Sequence, residues 1–367
     1  MTQAPKTLRS GFTTGAAAAA AAKAGLIFLL TGRAPRTVAI QFLTGEETTV
    51  AVHRCRLIED GKARCTVIKD AGDDPDITHH AEIGAEVTLE TPSTPTAIRI
   101  TGGTGVGVVT KPGLGIPQGQ PAITRGPMTM ITNSIEAVLT THPTKAGIHV
   151  QIFVPDGVRL ARKTLNARLG IRGGLSILGT TGLVRPMSHE AYVATIEKAM
   201  DVAVAEGASH LVLTTGRRSE RFAQQRWPQL SEVVFIQIGD FFQKALAAAA
   251  GRGVASVALA VFFGKALKMA QNVPHTHAAK SELTLKTLAG WTLELTGNAA
   301  LAAMVGRANT ARHAFDPISA EAPAVLSHVA EKARKCAEGF ADGRLKVRCV
   351  IFDYEGSVVV DTRTDWG

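Results

Sequence analysis

Four apolar runs in the middle of the chain each end in a glycine-containing loop, and loops of this kind can bind a nucleotide-like ligand. The runs with their loops are Leu175–Met187, Leu211–Arg217, Val233–Asp240 and Val257–Lys265. A strand that leads into such a loop and on to a helix presents backbone N–H groups to the anionic or polar parts of a ligand. One loop is weak evidence. Four in succession predict an open α/β sheet with its ligand at the strand ends.

Hydroxyl and carboxyl side chains at these strand ends are candidates for binding a nucleoside. Asp240 follows an apolar run, and an acid at a strand end commonly accepts hydrogen bonds from ribose hydroxyls. The same carboxylate could instead cap the helix expected over Phe241–Ala250, and the sequence does not decide between the two roles. The predicted cofactor-binding residues are Gly179, Thr180, Thr181, Gly182, Thr214, Thr215, Gly216 and Asp240.

An acidic loop between Asp70 and Glu82 could face a substrate. It contains Asp73, Asp74 and Asp76, and carboxylates this close repel one another unless a partner compensates their charge. Their spacing does not match a calcium-binding loop. A substrate-facing loop is favoured over a metal site, and a turn whose Asp side chains bond local N–H groups is the structural alternative. Asp74 could also exchange a proton.

Two further motifs resemble known ligand sites only in part. Gly102–Gly107 reads like a dinucleotide fingerprint, but Pro112 breaks the segment that would have to start a helix. We predict a ligand-gripping loop there instead, with Lys111 supplying positive charge. His275 and His277 could face one side of an extended segment, yet no third ligand for zinc is evident. We predict no metal site, and substrate contact, proton transfer or a surface loop stay open for His277.

The charge of the chain indicates an anionic partner. The chain has 367 residues, is 45% hydrophobic and carries a formal net charge of +9. Solubility, a polyanionic small molecule or nucleic acid could each explain the excess, but the scattered basic residues and scarce aromatics disfavour nucleic acid. No apolar run predicts a membrane span, and Ala16–Leu30 is expected to be a buried or amphipathic helix. Four cysteines without CxxC spacing predict ordinary thiols in a reduced cytoplasm.

The pattern of elements predicts an α/β fold with an α+β N-terminal part. Residues 1–147 alternate short strands and helices and are expected to contact the substrate. Residues 148–300 are predicted to form a Rossmann-like, mostly parallel sheet with helices on both faces, which a strand at Ile148–Val154 enters. Residues 301–367 read as a helix and a hairpin, and the sequence does not reveal where they dock.

Several long motifs, in order along the chain, resemble the CbiD family. They are Phe12–Gly15 with the alanine-rich helix, Gly72–His79, Gly105–Gly115, Ala161–Asn166, Gly170–Met187 and Leu213–Arg217. The resemblance runs from about Leu8 to about Trp291. It implies C1-methylation of cobalt-precorrin-5B to cobalt-precorrin-6A in the oxygen-independent route to cobalamin. It also implies S-adenosylmethionine as methyl donor, a polycarboxylate tetrapyrrole as acceptor and a two-domain α/β architecture.

Under this resemblance, the acceptor's carboxylates account for the positive charge, and the enzyme's work is to align the donor methyl with the ring carbon and exclude water. The predicted substrate-binding residues are Thr13, Thr14, Asp73, Asp76, Lys111, Arg162, Lys163 and Arg168. Asp74 and His277 are the predicted catalytic residues. A non-catalytic tetrapyrrole carrier and a nucleotide-dependent oxidoreductase of the same pathway are the alternatives. We expect a cytoplasmic protein that binds neither nucleic acid nor membrane, with a homo-oligomer left open.

The chain departs from the family pattern at three positions. Many relatives have Cys at the position of Ala17, which excludes a catalytic thiol there in this chain. Relatives often have His at the position of Phe262, and Ser at the position of Ala278. Roles that depend on those side chains therefore do not carry over.

Overall fold

The computed structural model describes residues 8–91, 97–276 and 281–362. They form two compact units that divide between Ser188 and His189. The sequence placed this boundary after residue 147. The difference arises because the strand Gly147–Phe153 pairs within the N-terminal sheet and does not open the second one.

The N-terminal unit consists of helices, one five-stranded sheet and three two-stranded sheets. Its strands are β1 (Gly11–Phe12), β2 (Thr37–Gln41), β3 (Glu47–Ala51), β4 (Arg54–Glu59), β5 (Lys62–Ile68), β6 (Glu82–Glu90), β7 (Ile98–Gly102), β8 (Val108–Val109), β9 (Gly147–Phe153), β10 (Ile171–Arg172) and β11 (Leu183–Val184). Its helices are α1 (Thr14–Thr31), α2 (Arg125–Thr141) and α3 (Gly157–Ala161). The large sheet has the order β4-β5-β6-β9-β7, and only the β7–β9 pair is parallel.

Helix α1 lies at the centre of the N-terminal core because its residues are small and apolar. Residues 16–22 are all alanine and are at most 1% exposed, and the helix packs on α2, β5 and β6. Among the described helices, α1 alone is long and apolar enough to cross a membrane, and 67% of its apolar window is buried inside the protein. The alanine run therefore forms a buried helix, as predicted.

The C-terminal unit is a five-stranded sheet covered by helices. Its strands are β12 (His210–Thr214), β13 (Phe235–Gln237), β14 (Ser256–Phe262), β15 (Lys346–Phe352) and β16 (Val358–Asp361). Its helices are α4 (His189–Ala205), α5 (Arg217–Arg226), α6 (Phe242–Gly251), α7 (Phe263–Ala270), α8 (Ser281–Thr296), α9 (Ala299–Arg307), α10 (Ala311–Glu321) and α11 (Pro323–Phe340), with a 3-10 turn at Glu232–Val234. The order is β13-β12-β14-β15-β16, and β16 alone is antiparallel to its neighbour.

The strand order of this sheet creates a switch point beside β12. The chain passes from β12 to β13 on one side of it and returns to β14 on the other. In open α/β sheets, ligands bind outside the carboxyl ends of the strands at such a reversal. The loops after β12, β13 and β14 are therefore the places in this unit where a ligand site is expected.

The predicted fold class is confirmed, since antiparallel N-terminal sheets precede a largely parallel C-terminal sheet with helices. The terminal hairpin joins that sheet as β15 and β16. Two local predictions were wrong. The Ile148–Val154 strand belongs to the N-terminal sheet. Cys55 and Cys65 face each other across β4 and β5 and are joined as a disulfide, whereas all four cysteines were predicted to be thiols.

Candidate functional site

The N-terminus of α1 is tied to the loop that starts at Leu178. Thr13 caps the helix by accepting the Ala16 N–H at 3.2 Å, and its own N–H donates to the Gly182 carbonyl at 2.8 Å. The Thr14 hydroxyl accepts the Leu178 N–H at 2.9 Å and donates to the Leu178 carbonyl at 3.2 Å. Both threonines are buried. The predicted substrate residues and the predicted cofactor loop thus form one local structure in the N-terminal unit.

The loop Gly179–Gly182 needs its glycines for close packing. Both have positive φ, +131° and +96°. A Cβ on the first would clash with Thr13, and a Cβ on the second would crowd the ring of Phe42. The two threonines between them are exposed. The loop belongs to the N-terminal unit and not, as predicted, to the parallel sheet.

Thr14→Val is expected to destabilise the protein by about 1–3 kcal/mol, because valine keeps the shape of the buried Thr14 side chain but leaves the partly buried Leu178 N–H without its acceptor. Urea-induced unfolding followed by circular dichroism measures this change. Thr129→Val is the matched control, since Thr129 is exposed and its hydroxyl bonds only the helix carbonyl of Arg125. Equal midpoints for the two variants would contradict the assigned role of Thr14.

The acidic loop is held by a basic residue and by backbone N–H groups. The guanidinium of Arg9 pairs with Asp70, and its hydrogen bond lowers the pKa of Asp70 to about 2. The Arg9 backbone N–H donates to Asp73 Oδ2 at 2.7 Å, and the Asp73 N–H donates to the Arg9 carbonyl at 2.9 Å. Asp74 Oδ1 accepts the Met187 N–H at 2.9 Å. Asp74 therefore fixes the segment after β11, and its role in proton transfer stays a prediction.

Asp76 compensates a buried cation. Its Oδ2 lies 2.7 Å from the ammonium of Lys69, whose side chain is only 1% exposed. Its Oδ1 accepts hydrogen bonds from the N–H and the hydroxyl of Thr78, both at 2.7 Å. Partial burial opposes ionisation, but the charge and hydrogen bond of Lys69 lower the pKa of Asp76. These contacts explain the residue structurally, so its substrate contact stays a prediction.

Two of the four predicted carboxylate-binding basic residues lie near one glycine. The stem of Lys111 covers Gly170 so closely that a Cβ there would clash with it. Arg168 is half-buried two positions before that glycine. Arg162 and Lys163 are exposed just beyond α3. The structure therefore brings Lys111 and the Arg168 segment together, whereas it gives no described contact that joins Arg162 and Lys163 to them.

In the C-terminal unit, the loop after β12 has open space beside its backbone at the switch point of the sheet. Thr214 is fully buried, and its hydroxyl donates to the Ile236 carbonyl at 3.4 Å, so its side chain is part of the sheet interior. Thr215 is half-buried. A Cβ on Gly216 would meet nothing within 4 Å, and α5 begins at the next residue. Of the three predicted residues, Thr215 and Gly216 are the ones that are not fully buried, and their contact with a cofactor stays a prediction.

A polar cluster lies at the same edge of the sheet, after β13 and β14. Asp240 Oδ1 forms an ion pair with Lys265 and accepts the Thr276 hydroxyl at 2.9 Å. Lys265 also donates to the Thr276 carbonyl at 3.2 Å, as Lys268 does at 3.3 Å. Partial burial works against ionisation of Asp240, but the hydrogen bonds from Lys265 and Thr276 lower its pKa. Within the part of the chain that the structure describes, both hydrogen bonds to this carboxylate reach Oδ1 and none reaches Oδ2, and its contact with a cofactor stays a prediction.

The contacts described above do not test every predicted site residue. His277 lies outside the described residues. No group of three His, Cys, Asp or Glu side chains within the described ranges is arranged to hold a metal ion, and the metal prediction stays a prediction. Sequence reasoning did not select Lys265 as a site residue, although its place just after an apolar run and a glycine was the available signal.

Comparison with known proteins agrees with the resemblance noted in the sequence. The CbiD family model matches residues 1–186, and the model of the CbiD C-terminal domain matches residues 275–363. Cobalt-precorrin-5B C(1)-methyltransferase of Salinispora arenicola is 42% identical over 99% of this chain and 94% of its own length. The protein of the same name from Geotalea daltonii is 44% identical over 91% of this chain and 92% of its own length.

A solved structure is also similar to this chain. The crystal structure of the cobalamin biosynthesis protein CbiD from Archaeoglobus fulgidus has 29% sequence identity and a TM-score of 0.40, and the match covers 70% of this chain and 78% of that one. The first family match ends at residue 186, close to the end of the N-terminal unit at Ser188. The two family-model matches and the relatives that are 42–44% identical show that the chain belongs to the CbiD family.

Proposed function

We propose that this chain is a methyltransferase of cobalamin biosynthesis that methylates cobalt-precorrin-5B at ring carbon C1. The observation that carries the proposal is the match to the Salinispora arenicola methyltransferase, which extends over 99% of this chain and 94% of the relative. Because the match is nearly end to end, both units of the chain have counterparts in a protein with that name. The relatives' shared name makes the acceptor a precorrin, which is a tetrapyrrole.

The C-terminal unit supplies the donor site in this proposal. S-adenosylmethionine, when bound, supplies a methyl group activated by its positively charged sulfur. The half-buried Thr215, the open backbone of Gly216 and the Oδ2 of Asp240 lie at the carboxyl edge of the parallel sheet. An acid in that position suits ribose hydroxyls. Asp240 also neutralises the ammonium group of Lys265. Lys265 therefore does not repel the positively charged sulfur of the methyl donor.

Alignment is the chemical task of these residues. The C1 electron pair forms the new carbon–carbon bond while the pair of the broken carbon–sulfur bond stays on sulfur, so no protein group needs to bond covalently. Lys265 and Thr276 fix the Asp240 carboxylate in its ionised form before a ligand arrives. Such preorganisation lowers the entropic cost of holding donor and acceptor in line.

The N-terminal unit supplies acceptor contacts in this proposal. Guanidinium and ammonium groups bind carboxylates by charge-assisted hydrogen bonds. The proposed ligands of the carboxylate arms are therefore Lys111, Arg162, Lys163 and Arg168. The buried Thr13 and Thr14 hold the exposed threonines of the Gly179–Gly182 loop in place. Asp74 and His277 stay proposals for proton transfer. We propose that the reaction takes place in the cytoplasm.

Calorimetric titration with S-adenosylhomocysteine, beside NAD and NADP, tests the donor proposal. Binding of S-adenosylhomocysteine alone would support it, and the ligand would also raise the melting temperature because it binds the folded state. Binding of NAD without S-adenosylhomocysteine would contradict it and favour an oxidoreductase. Retention of a tetrapyrrole with no methyl transfer under saturating donor would favour a carrier.

Asp240→Asn is expected to weaken S-adenosylhomocysteine binding roughly tenfold or more, because a hydrogen bond to a charged group contributes about 1.5–3 kcal/mol. The same calorimetric titration measures the change. Asp342→Asn is the matched control, since Asp342 is 79% exposed in the same unit and asparagine tolerates its positive φ of 53°. Equal affinities of wild type and Asp240→Asn would exclude Asp240 from the donor site.

A further inference from the structure

Two arginines at the carboxyl edge of the C-terminal sheet are held by a pair of stacked aromatic rings. Phe262 ends β14 and Tyr354 follows β15, and their rings stack with centroids 5.5 Å apart and planes 6° from parallel. The guanidinium carbon of Arg218 lies 5.4 Å from the centre of the Phe262 ring. That of Arg312 lies 4.4 Å from the centre of the Tyr354 ring. We call these four residues the ring–arginine cluster.

The ring–arginine cluster holds its guanidinium groups without neutralising them. A ring binds the flat face of a guanidinium and leaves the N–H groups at its edge available. Arg218 uses one N–H to donate to the Tyr354 carbonyl. Neither arginine pairs with a carboxylate of the described residues, and both are exposed. Five other arginines of this unit do pair with carboxylates: Arg226, Arg252, Arg334, Arg344 and Arg348.

Two acids close to the cluster in sequence, Asp316 and Asp353, form no described ion pair with these guanidinium groups. Asp316 is one turn beyond Arg312 on α10 but forms no described ion pair with it. Asp353 directs Oδ1 to the backbone N–H groups of its own turn, at 2.7 Å from those of Gly356 and Ser357. The positive charge of the cluster is therefore left for a ligand.

The position of the cluster points to the acceptor. Arg218 is the second residue of α5 and lies two positions after the open backbone of Gly216, and Phe262 directly precedes the helix that carries Lys265. The cluster thus borders the proposed donor site at the same sheet edge. Each ring of the stack also has a guanidinium carbon within 6 Å of its centre, so the cluster presents hydrogen-bond donors beside the donor site.

Resting on the proposed function, we infer that Arg218 and Arg312 bind carboxylate arms of the tetrapyrrole acceptor and position its ring beside the donor. A guanidinium fork binds a carboxylate through two parallel N–H groups, and a side chain already fixed by a ring loses little freedom on binding. The two residues are substrate-binding residues, and they make no bond to the reacting atoms.

The test compares Arg218→Gln, Arg312→Gln and the double variant with wild type in methyl transfer to enzymatically made cobalt-precorrin-5B. With donor saturating, each single change is expected to raise the acceptor KM roughly tenfold, as for a lost charge-assisted hydrogen bond. The donor KM and the S-adenosylhomocysteine Kd are expected to stay within about twofold. Arg307→Gln is the matched control, because Arg307 is exposed in the same unit and lies on none of the described rings.

The possible outcomes distinguish failure of the proposed acceptor subsite from failure of the proposed function. A wild-type protein that binds S-adenosylhomocysteine and turns over, with an unchanged acceptor KM in the double variant, would overturn the subsite alone. An equal rise in Arg307→Gln would assign the effect to net charge and would also overturn it. Titration with uroporphyrin, a stable polycarboxylate tetrapyrrole, tests the subsite without turnover: weaker binding by the double variant supports it. If glutamine lowers the unfolding midpoint, Arg218→Lys and Arg312→Lys repeat the comparison with the charge kept.

Discussion

Asp76→Ala is expected to destabilise the protein by about 3–5 kcal/mol, because it leaves a buried ammonium without its partner. The Lys69 side chain is 1% exposed, and Asp76 Oδ2 lies 2.7 Å from its nitrogen. Guanidinium-induced unfolding measures the loss. Asp156→Ala is the control: Asp156 pairs with Arg159 where both side chains are more than 60% exposed, and an exposed pair contributes little.

The pH dependence of this loss identifies its cause. The pKa of Asp76 is lowered in the folded protein, against partial burial, by the charge and hydrogen bond of Lys69. The ion pair therefore stabilises the fold above the unfolded-state pKa of about 3.9. That contribution is lost as the pH falls through the folded-state pKa. The stabilities of wild type and Asp76→Ala should begin to converge below about pH 4 and meet once the pH is below the folded-state pKa of Asp76. A difference that does not change between neutral and acid pH would contradict the electrostatic explanation.

A double variant separates the charge from the packing. Lys69→Met with Asp76→Leu replaces the pair by apolar groups and should recover most of the stability lost in Asp76→Ala, since a buried pair and its apolar replacement are often close in free energy. In that case Lys69 affects the site only by pairing with Asp76, which anchors the acidic loop. If the double variant is as unstable as Asp76→Ala, the loop depends on the carboxylate's bonds to Thr78.

The strands of the C-terminal sheet could be predicted because burial on both faces leaves a clear mark in the sequence. Val257–Val261 is an unbroken apolar run that is fully buried in β14. Strand β4 was missed because half of its residues are charged and most of them are exposed. Strand β9 was recognised as a strand but assigned to the wrong sheet, since its alternation of buried residues suits either sheet and only long-range pairing decides.

The candidate site was predictable where topology alone brings residues together. Thr215 and Asp240 follow neighbouring parallel strands, whose carboxyl ends must lie at one edge. The loop Gly179–Gly182 has the same local pattern, yet Leu175 and Ile177 form only isolated bridges with Val106 and Ile123. Local sequence cannot distinguish a bridge from a strand, so the loop was assigned to the wrong unit.

Gly105→Ala is expected to cost more than about 4 kcal/mol or to prevent folding, because steric strain and a backbone clash add at one residue. Gly105 has φ of +74°, and a Cβ there would clash with the carbonyl oxygen of Val154. The carbonyl of Gly105 is in turn covered by Gly157 and Gly174, where a Cβ would clash with it. Backbone thus packs directly on backbone, and no flexible side chain can move to make room. Guanidinium-induced unfolding, or the soluble yield if no folded protein forms, measures the effect.

Gly115→Ala separates the two causes of that loss. Gly115 has nearly the same φ, +71°, but a Cβ there would meet nothing within 4 Å. Its cost is therefore the conformational strain alone, about 1–2 kcal/mol. If Gly105→Ala lowers the free energy of unfolding no more than Gly115→Ala does, the backbone contact among Gly105, Gly157 and Gly174 has room for a Cβ, contrary to the structure. A much larger loss at Gly105 would show that the segments before and after α3 depend on it, since Leu175 also donates its N–H to the Gly105 carbonyl at 2.9 Å.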